Sequence, residues 1–348
     1  MTTRRMDGAV QVRGVPAPLR ARAGLLAAAV LGAACAGGEA PPGSQTREGP
    51  EDPSDPEVQT RGAPDDFSEG LLPVNGTELF VKTMGSGPPV LVVHGGPLLD
   101  HGYLLPYLAP LGDDRTLVFF DQRLSGRSAG HVDSTSVSVE AFVADMEVLR
   151  QTLGLERITL LAHSWGGFLA LHYGLQYPDR LASLVLVSPT APSASLQREE
   201  QARLLEDVPP AHSQEARRLR EAPGVATGEP EAIEALLRHA FRLQFHDPES
   251  ADRLSIYVPP DYLERSRQLG VMGPELAGFD LQEQLEGFGV PTLLVYGAEE
   301  PGVDVGGEAL IRSLEDVRLV RIRDAGHFAF MEQPEAFLRE IRRFLEGR

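Results

Sequence analysis

Ser164 sits in the run Ala162-His163-Ser164-Trp165-Gly166-Gly167, between an apolar strand-like segment and a helix-like one. That context is what a nucleophile elbow of the G-x-S-x-G type requires, with Ala162 standing at the first small position. The turn strains the serine backbone and lifts its Oγ above the sheet. A hydroxyl attacks a carbonyl only when a base takes its proton, and the base needs a third group to fix its tautomer. His327, in Asp324-Ala325-Gly326-His327-Phe328 after the last strand-like segment, is the base expected among the nine histidines. The acid should follow the strand-like run Pro291–Tyr296. There the chain reads Gly297-Ala298-Glu299-Glu300-Pro301-Gly302-Val303-Asp304. A Gly-x-x-acid frame selects Glu300, and Asp304 is the shorter-armed alternative, with Glu299 third. The position after Leu181–Val187 reads Ser188-Pro189-Thr190 and offers no carboxylate.

A second feature faces the developing negative charge of such an attack. His94-Gly95-Gly96-Pro97 follows the apolar run Pro89–His94, and glycines let a backbone close on a substrate oxygen. The N–H groups of Gly95, Gly96 and Trp165 are the expected oxyanion donors. His94 reads as a structural hydrogen-bonding group. Apart from His327, the remaining histidines read as surface or packing residues.

These residues need a scaffold, and the sequence supplies a rhythm for one. Thr77–Met84, Pro89–His94, Thr116–Phe120, Arg157–Ala162, Leu181–Val187, Pro291–Tyr296 and Val317–Ile322 read as strands. Several are continuous apolar runs, as in strands buried on both faces. Val139–Leu153, Gly166–Tyr177 and Glu335–Leu345 have helical spacing. Alternating βα units predict an α/β fold: a mostly parallel sheet with helices on both faces. Between Pro189 and Phe288 the strands stop and charged helical segments (Gln197–Leu205, Glu231–Gln244) take over. The expected organisation is therefore a core of 68–189 and 289–348 with a helical cap of 190–288 inserted in it.

Taken together, the motifs resemble the α/β-hydrolase superfamily. His94-Gly95-Gly96-Pro97, Asp121-Gln122-Arg123…Gly126-Arg127-Ser128 and Ser164-Trp165-Gly166-Gly167 are similar to the proline iminopeptidase (prolyl aminopeptidase) family, whose hallmarks are HGGPG, DQRGxGxS and GxSWG. The resemblance spans roughly residues 72–346. It implies a cofactor-free serine hydrolase, a buttressing role for Asp121–Ser128, and cap glutamates that receive a substrate's free α-amine. Leu98 and Leu124 stand where the family has glycine, and Trp165 is the only tryptophan, so the cap lacks the family's Trp-Glu motifs. Glu199, Glu200, Glu206, Glu231 and Glu234 are the cap carboxylates available, either for an amine or simply as a solvated face. A cap with an apolar lip would instead favour esters, lactones or thioesters. A binder that has lost turnover is the reading from another class.

Composition narrows the partners. With 32 Lys+Arg against 50 Asp+Glu, the formal charge is -18, which disfavours nucleic acid. The single cysteine, Cys35, excludes a disulfide framework and a cysteine-based metal site. No cofactor or metal motif is evident, and the expected partner is a small-molecule or peptide substrate. Arg4, Arg5, Arg13, Arg20 and Arg22 against Asp7 alone precede the apolar run Ala23–Ala34, which is too short to span a bilayer. This start resembles a bacterial lipoprotein signal (1–35) with Cys35 as the lipid anchor. An exported, membrane-anchored protein is expected, a secreted soluble one being the alternative. Residues 36–67 are rich in Pro, Gly, Ser and acids, and read as a disordered linker.

Overall fold

The computed structural model describes residues 68–133 and 136–346. The expected signal segment 1–35 with Cys35, and the linker 36–67, lie outside the described residues.

Eight strands form one sheet in the order β1-β2-β4-β3-β5-β6-β7-β8. They are β1 (Ser68–Val74), β2 (Thr77–Met84), β3 (Pro89–Val93), β4 (Thr116–Phe120), β5 (Ile158–His163), β6 (Leu181–Val187), β7 (Thr292–Gly297) and β8 (Val317–Ile322). The pairs β1/β2 and β2/β4 are antiparallel, and every pair from β4 to β8 is parallel. Every residue of β5 and of β7 is buried, so both faces of the sheet centre are covered. That is the physical meaning of the unbroken apolar runs ITLLAH and TLLVYG. At the far edge, β8 (VRLVRI) leaves both arginines exposed. Strand β1 has no clear period in its sequence. Six of its seven residues are at least partly exposed and it carries Pro73, as an edge strand can.

The longer helices are α1 (Val139–Thr152), α2 (Trp165–Gln176), α3 (Ala194–Leu204), α4 (Pro210–Arg220), α5 (Pro230–Phe241), α6 (Tyr262–Leu269), α7 (Gly306–Ser313) and α8 (Pro334–Leu345). Ser138 caps α1 by accepting the Ala141 N–H, and Ser193 caps α3 in the same way with Leu196. Helices α4, α6 and α7 have no counterpart in the sequence reading. None of the eleven residues of α4 is buried, so it carries no apolar stripe to read.

Helices α3 to α6 occupy the excursion between β6 and β7. The chain leaves and returns at one point, where Ser193 bridges Asp280. There Ala194 N–H donates to Phe279 O at 2.9 Å and Leu281 N–H to Pro192 O at 2.8 Å. Residues 281–288 then run back along the core, where Leu285 is buried and Phe288 bridges Leu314. From α6 the side chain of Arg265 reaches back into the core and donates to Gly126 O and Ser128 O, both at 3.1 Å.

Candidate active site

Strand β5 ends at His163, and Ser164 begins the turn into α2 with φ 54° and ψ -119°. This left-handed backbone is costly for serine, and such strain is found where a side chain must be aimed. The turn is held on both sides: Ser164 N–H donates to Val187 O at 3.0 Å, and Thr190 N–H to Ser164 O at 3.1 Å. Gly166 packs so closely on β3 that a Cβ there would lie 2.4 Å from Val93 O. Only glycine allows that approach.

His327 follows β8 on a loop fastened to the cap. Its N–H donates to Gln244 O at 2.8 Å. The neighbouring Gly326 N–H donates to Glu332 at 2.8 Å, and the other Glu332 oxygen accepts the Asp247 N–H at 2.9 Å. Phe328 stacks on Phe245 of the same cap segment with ring centres 4.4 Å apart. The cap segment 244–247 thus sets the height of the imidazole.

Of the expected carboxylates, Glu300 meets the base: His327 Nδ1 lies 2.9 Å from Glu300 Oε2. Its other oxygen accepts Ser188 Oγ–H at 2.5 Å and Gly297 N–H at 3.2 Å. Asp304 does not meet His327 but ion-pairs Arg321 at 3.0 Å. The reason is local: after Pro301 a short helical turn carries Asp304 round to the exposed β8 arginine. Glu299 lines the same cavity as Glu300. Ser188 has no counterpart in the sequence reading, because a serine after β6 carries no charge. Its clue was position, at the end of the strand between β5 and β7.

The loop after β3 departs from expectation at one donor. Gly95 N–H is taken up by Tyr103 Oη at 2.6 Å, which removes it from the oxyanion donors. The N–H groups of Gly96 and Trp165 have no acceptor among the described residues. The loop is rigidly placed. Gln122 N–H donates to His94 Nε2 at 3.0 Å, so His94 Nδ1–H donates to Gly95 O at 2.6 Å. Gln122 Nε2–H donates to His94 O at 2.6 Å, and its Oε1 accepts Trp165 Nε1–H at 2.9 Å. Burial holds His94 down at about 4, neutral, so its role is structural.

The buttress beneath is ionic. Arg123, almost wholly buried, donates to both oxygens of Asp145 and to Ser136 O. Asp121 accepts His101 and Arg127 N–H groups. Asp100, His101 and Asp121 bring three buried metal-capable atoms within 4.8 Å of one another. Their oxygens already hold protein N–H groups, including Gly102 and, from the cap, Tyr257. This set is wired as a support for the loop. Leu98 and Leu124, the two leucines in family glycine positions, keep left-handed φ of 71° and 64° and are buried.

Ser164, His327 and Glu300 open into one cavity of about 490 Å³. Gly96 and Trp165 line it too. Its cap wall is largely apolar, with Leu204, Phe241, Leu243, Phe245 and Leu276. Among the five cap glutamates noted in the sequence, Glu200 lines this space. Glu199 and Glu234 pair with Arg203 and Arg238 on their own helices, and Glu206 and Glu231 are exposed. Glu200 Oε1 accepts the Gly306 N–H at 3.0 Å. Burial, reinforced by nearby Glu300 and Glu199, pushes its carboxyl up to about 8. Arg198 also reaches this cavity.

A sequence-family model described as the alpha/beta hydrolase fold matches residues 88–334. Among relatives, a proline iminopeptidase of Saccharolobus solfataricus is 28% identical over 303 residues, covering 83% of this chain and 96% of the relative. One of Lactiplantibacillus plantarum is 28% identical over 298 residues, covering 79% and 99%. Among solved structures, the proline iminopeptidase of Mycobacterium smegmatis superposes with a TM-score of 0.62 at 23% identity, covering 80% of this chain and 98% of that one. A thermophilic esterase of Thermogutta terrifontis gives 0.58 at 26% identity, covering 80% and 98%.

Proposed function

Because the chain belongs to the alpha/beta hydrolase fold family, we propose that it is a serine hydrolase that cleaves an acyl bond through Ser164, His327 and Glu300. The observation that carries this reading is the Glu300–His327 pair opening, with Ser164, into one cavity. Glu300 occupies Nδ1, which leaves Nε2 to take the Ser164 proton. Ser164 Oγ then attacks the substrate carbonyl carbon. The N–H groups of Trp165 and Gly96 receive the oxyanion, each donor being worth roughly a hundredfold or more in rate. Collapse of the intermediate expels the leaving group, protonated by His327, and leaves an ester on Ser164. Water, deprotonated by the same imidazole, releases the acyl group and restores the serine.

For the substrate, the reading is a peptide or amide whose N-terminal residue, proline in the relatives' named activity, carries a free amine. Glu200 supports it as the cap carboxyl beside the triad. Burial raises its carboxyl to about 8, and an ammonium group drawn to it would favour the ionised form. A small apolar acyl ester is the second reading, favoured by the cap wall of Leu204, Phe241, Leu243, Phe245 and Leu276. Initial rates on a proline arylamide and on p-nitrophenyl acetate separate the two. Amide turnover that disappears in Ser164→Ala supports the aminopeptidase, and ester turnover alone supports the second reading. Ligand binding without turnover on either would mean a non-catalytic binder.

For the N-terminus, the reading remains an exported lipoprotein anchored at Cys35. It rests on the basic, apolar, Cys-terminated order of residues 1–35. Metabolic labelling with a palmitate analogue, compared between the parent and Cys35→Ala, tests it.

A further inference from the structure

Three loops must hold register for the chemistry above: the one with Gly96, the one with Ser164 and the one with His327. A buried chain of hydrogen bonds joins all three, and it uses side chains that the triad does not. Gly95 N lies 2.6 Å from Tyr103 Oη, Tyr103 Oη lies 2.7 Å from His163 Nδ1, and His163 Nε2 lies 3.1 Å from His327 O.

The chemistry of the two ends fixes every proton between them. A backbone N–H can only donate, so Tyr103 Oη accepts from Gly95. The phenol has one hydrogen, and the remaining partner, His163 Nδ1, receives it. His163 is then bare at Nδ1 and carries its ring hydrogen at Nε2, facing a carbonyl of His327 that can only accept. The four roles agree without a leftover donor. The chain runs through an apolar wrapping, since Phe330 and Phe328 lie 5.1 and 5.4 Å from the His163 ring centre. Tyr103 and His163 are both almost fully buried, so water does not compete for these bonds. Burial, reinforced by neighbouring His327, holds His163 well below the usual histidine range, in the neutral form that the pattern needs. The fit is tight: a Cβ on Gly95 would lie 2.8 Å from Tyr103 Oη and 2.9 Å from His163 Nδ1.

Resting on the hydrolase reading, we infer that Tyr103 and His163 are positioning residues that lock the oxyanion loop, the nucleophile and the base loop into one rigid frame. Gly95 precedes the oxyanion donor Gly96, His163 precedes Ser164, and the last acceptor belongs to His327 itself. Consuming the Gly95 N–H in this way leaves Gly96 as the loop's donor and sets where it points.

The test uses the full-length protein, p-nitrophenyl acetate as substrate and phenylboronic acid as the probe of the tetrahedral state. Tyr103→Phe is expected to lower kcat about tenfold with KM within about twofold, and to weaken the boronate by the same factor. His163→Gln, which keeps a donor and an acceptor, is expected to retain more activity than His163→Leu. Tyr103→Phe combined with His163→Leu is expected to cost little more than the worse single change, because both cut one chain. If Tyr103→Phe does not fold, His163→Leu serves for the kcat, KM and boronate readouts. The inference is overturned if kcat and boronate affinity stay within about twofold of the parent, or if the two losses multiply. Full turnover in Ser164→Ala would instead overturn the hydrolase reading beneath it.

Discussion

Ser188 Oγ–H donates to Glu300 Oε1 at 2.5 Å, so the carboxylate facing His327 from the end of β7 is steadied from the end of β6. A glutamate has one more rotatable bond than an aspartate. Left alone it would reach His327 in several geometries. Ser188 and the Gly297 N–H hold one oxygen, and the other is thereby turned to Nδ1.

This relationship orders the carboxylates by function. Glu300→Gln should lower kcat by about 10³-fold or more, by presenting the wrong group to Nδ1. Ser188→Ala should cost only about tenfold. Asp304→Ala should leave kcat within about twofold, since Asp304 faces Arg321. Steady-state rates on one ester check the series, and a large loss in Asp304→Ala would reverse the assignment.

On the proposed aminopeptidase reading, Glu200 separates specificity from chemistry. Glu200→Gln should raise KM for a proline arylamide about tenfold, while turnover of p-nitrophenyl acetate stays within about twofold. Equal losses on both substrates would mean that Glu200 supports the site rather than the amine.

The same residue carries a pH signature in stability. Its carboxyl is raised from about 4.5 to about 8 in the folded state, so the native protein holds this proton more tightly than the unfolded chain does. The associated stabilisation is fully present below about pH 4.5 and is lost as pH rises towards 8. Denaturant titrations of the parent and Glu200→Gln should therefore show the variant gaining relative stability across that window. A difference that is flat with pH would contradict this.

Leu124 tests whether the departure from glycine is strain or compensation. A left-handed φ costs a leucine about 1–2 kcal/mol, whereas removing a buried leucine costs about 2–5 kcal/mol. Burial wins, and Leu124→Gly should destabilise by about 1–3 kcal/mol in urea unfolding. A stabilised variant would show that the strain dominates.

The strands that could be read in the sequence were those with a clear physical signature. PVLVV, ITLLA and LASLVLV are unbroken apolar because they are buried on both faces, and the observed strands match them to within a residue or so. β1 and α4 escaped because exposure erases periodicity. Within the site, Ser164 and His327 stood out through the turns around them. Gly95 is over-read, since the motif alone does not say which of its N–H groups Tyr103, eight residues on, will consume. Ser188, Tyr103 and Gln244 are not legible as site residues: each acts through one hydrogen bond or a few that cross between elements, and no local pattern encodes that.

The most direct measurement is the initial rate of the full-length protein on p-nitrophenyl acetate and a proline arylamide, parent against Ser164→Ala. A serine hydrolase predicts turnover of at least one substrate by the parent and a loss of about 10⁴-fold or more in the variant. Turnover that survives Ser164→Ala would remove Ser164 from the chemistry and contradict the mechanism at its root.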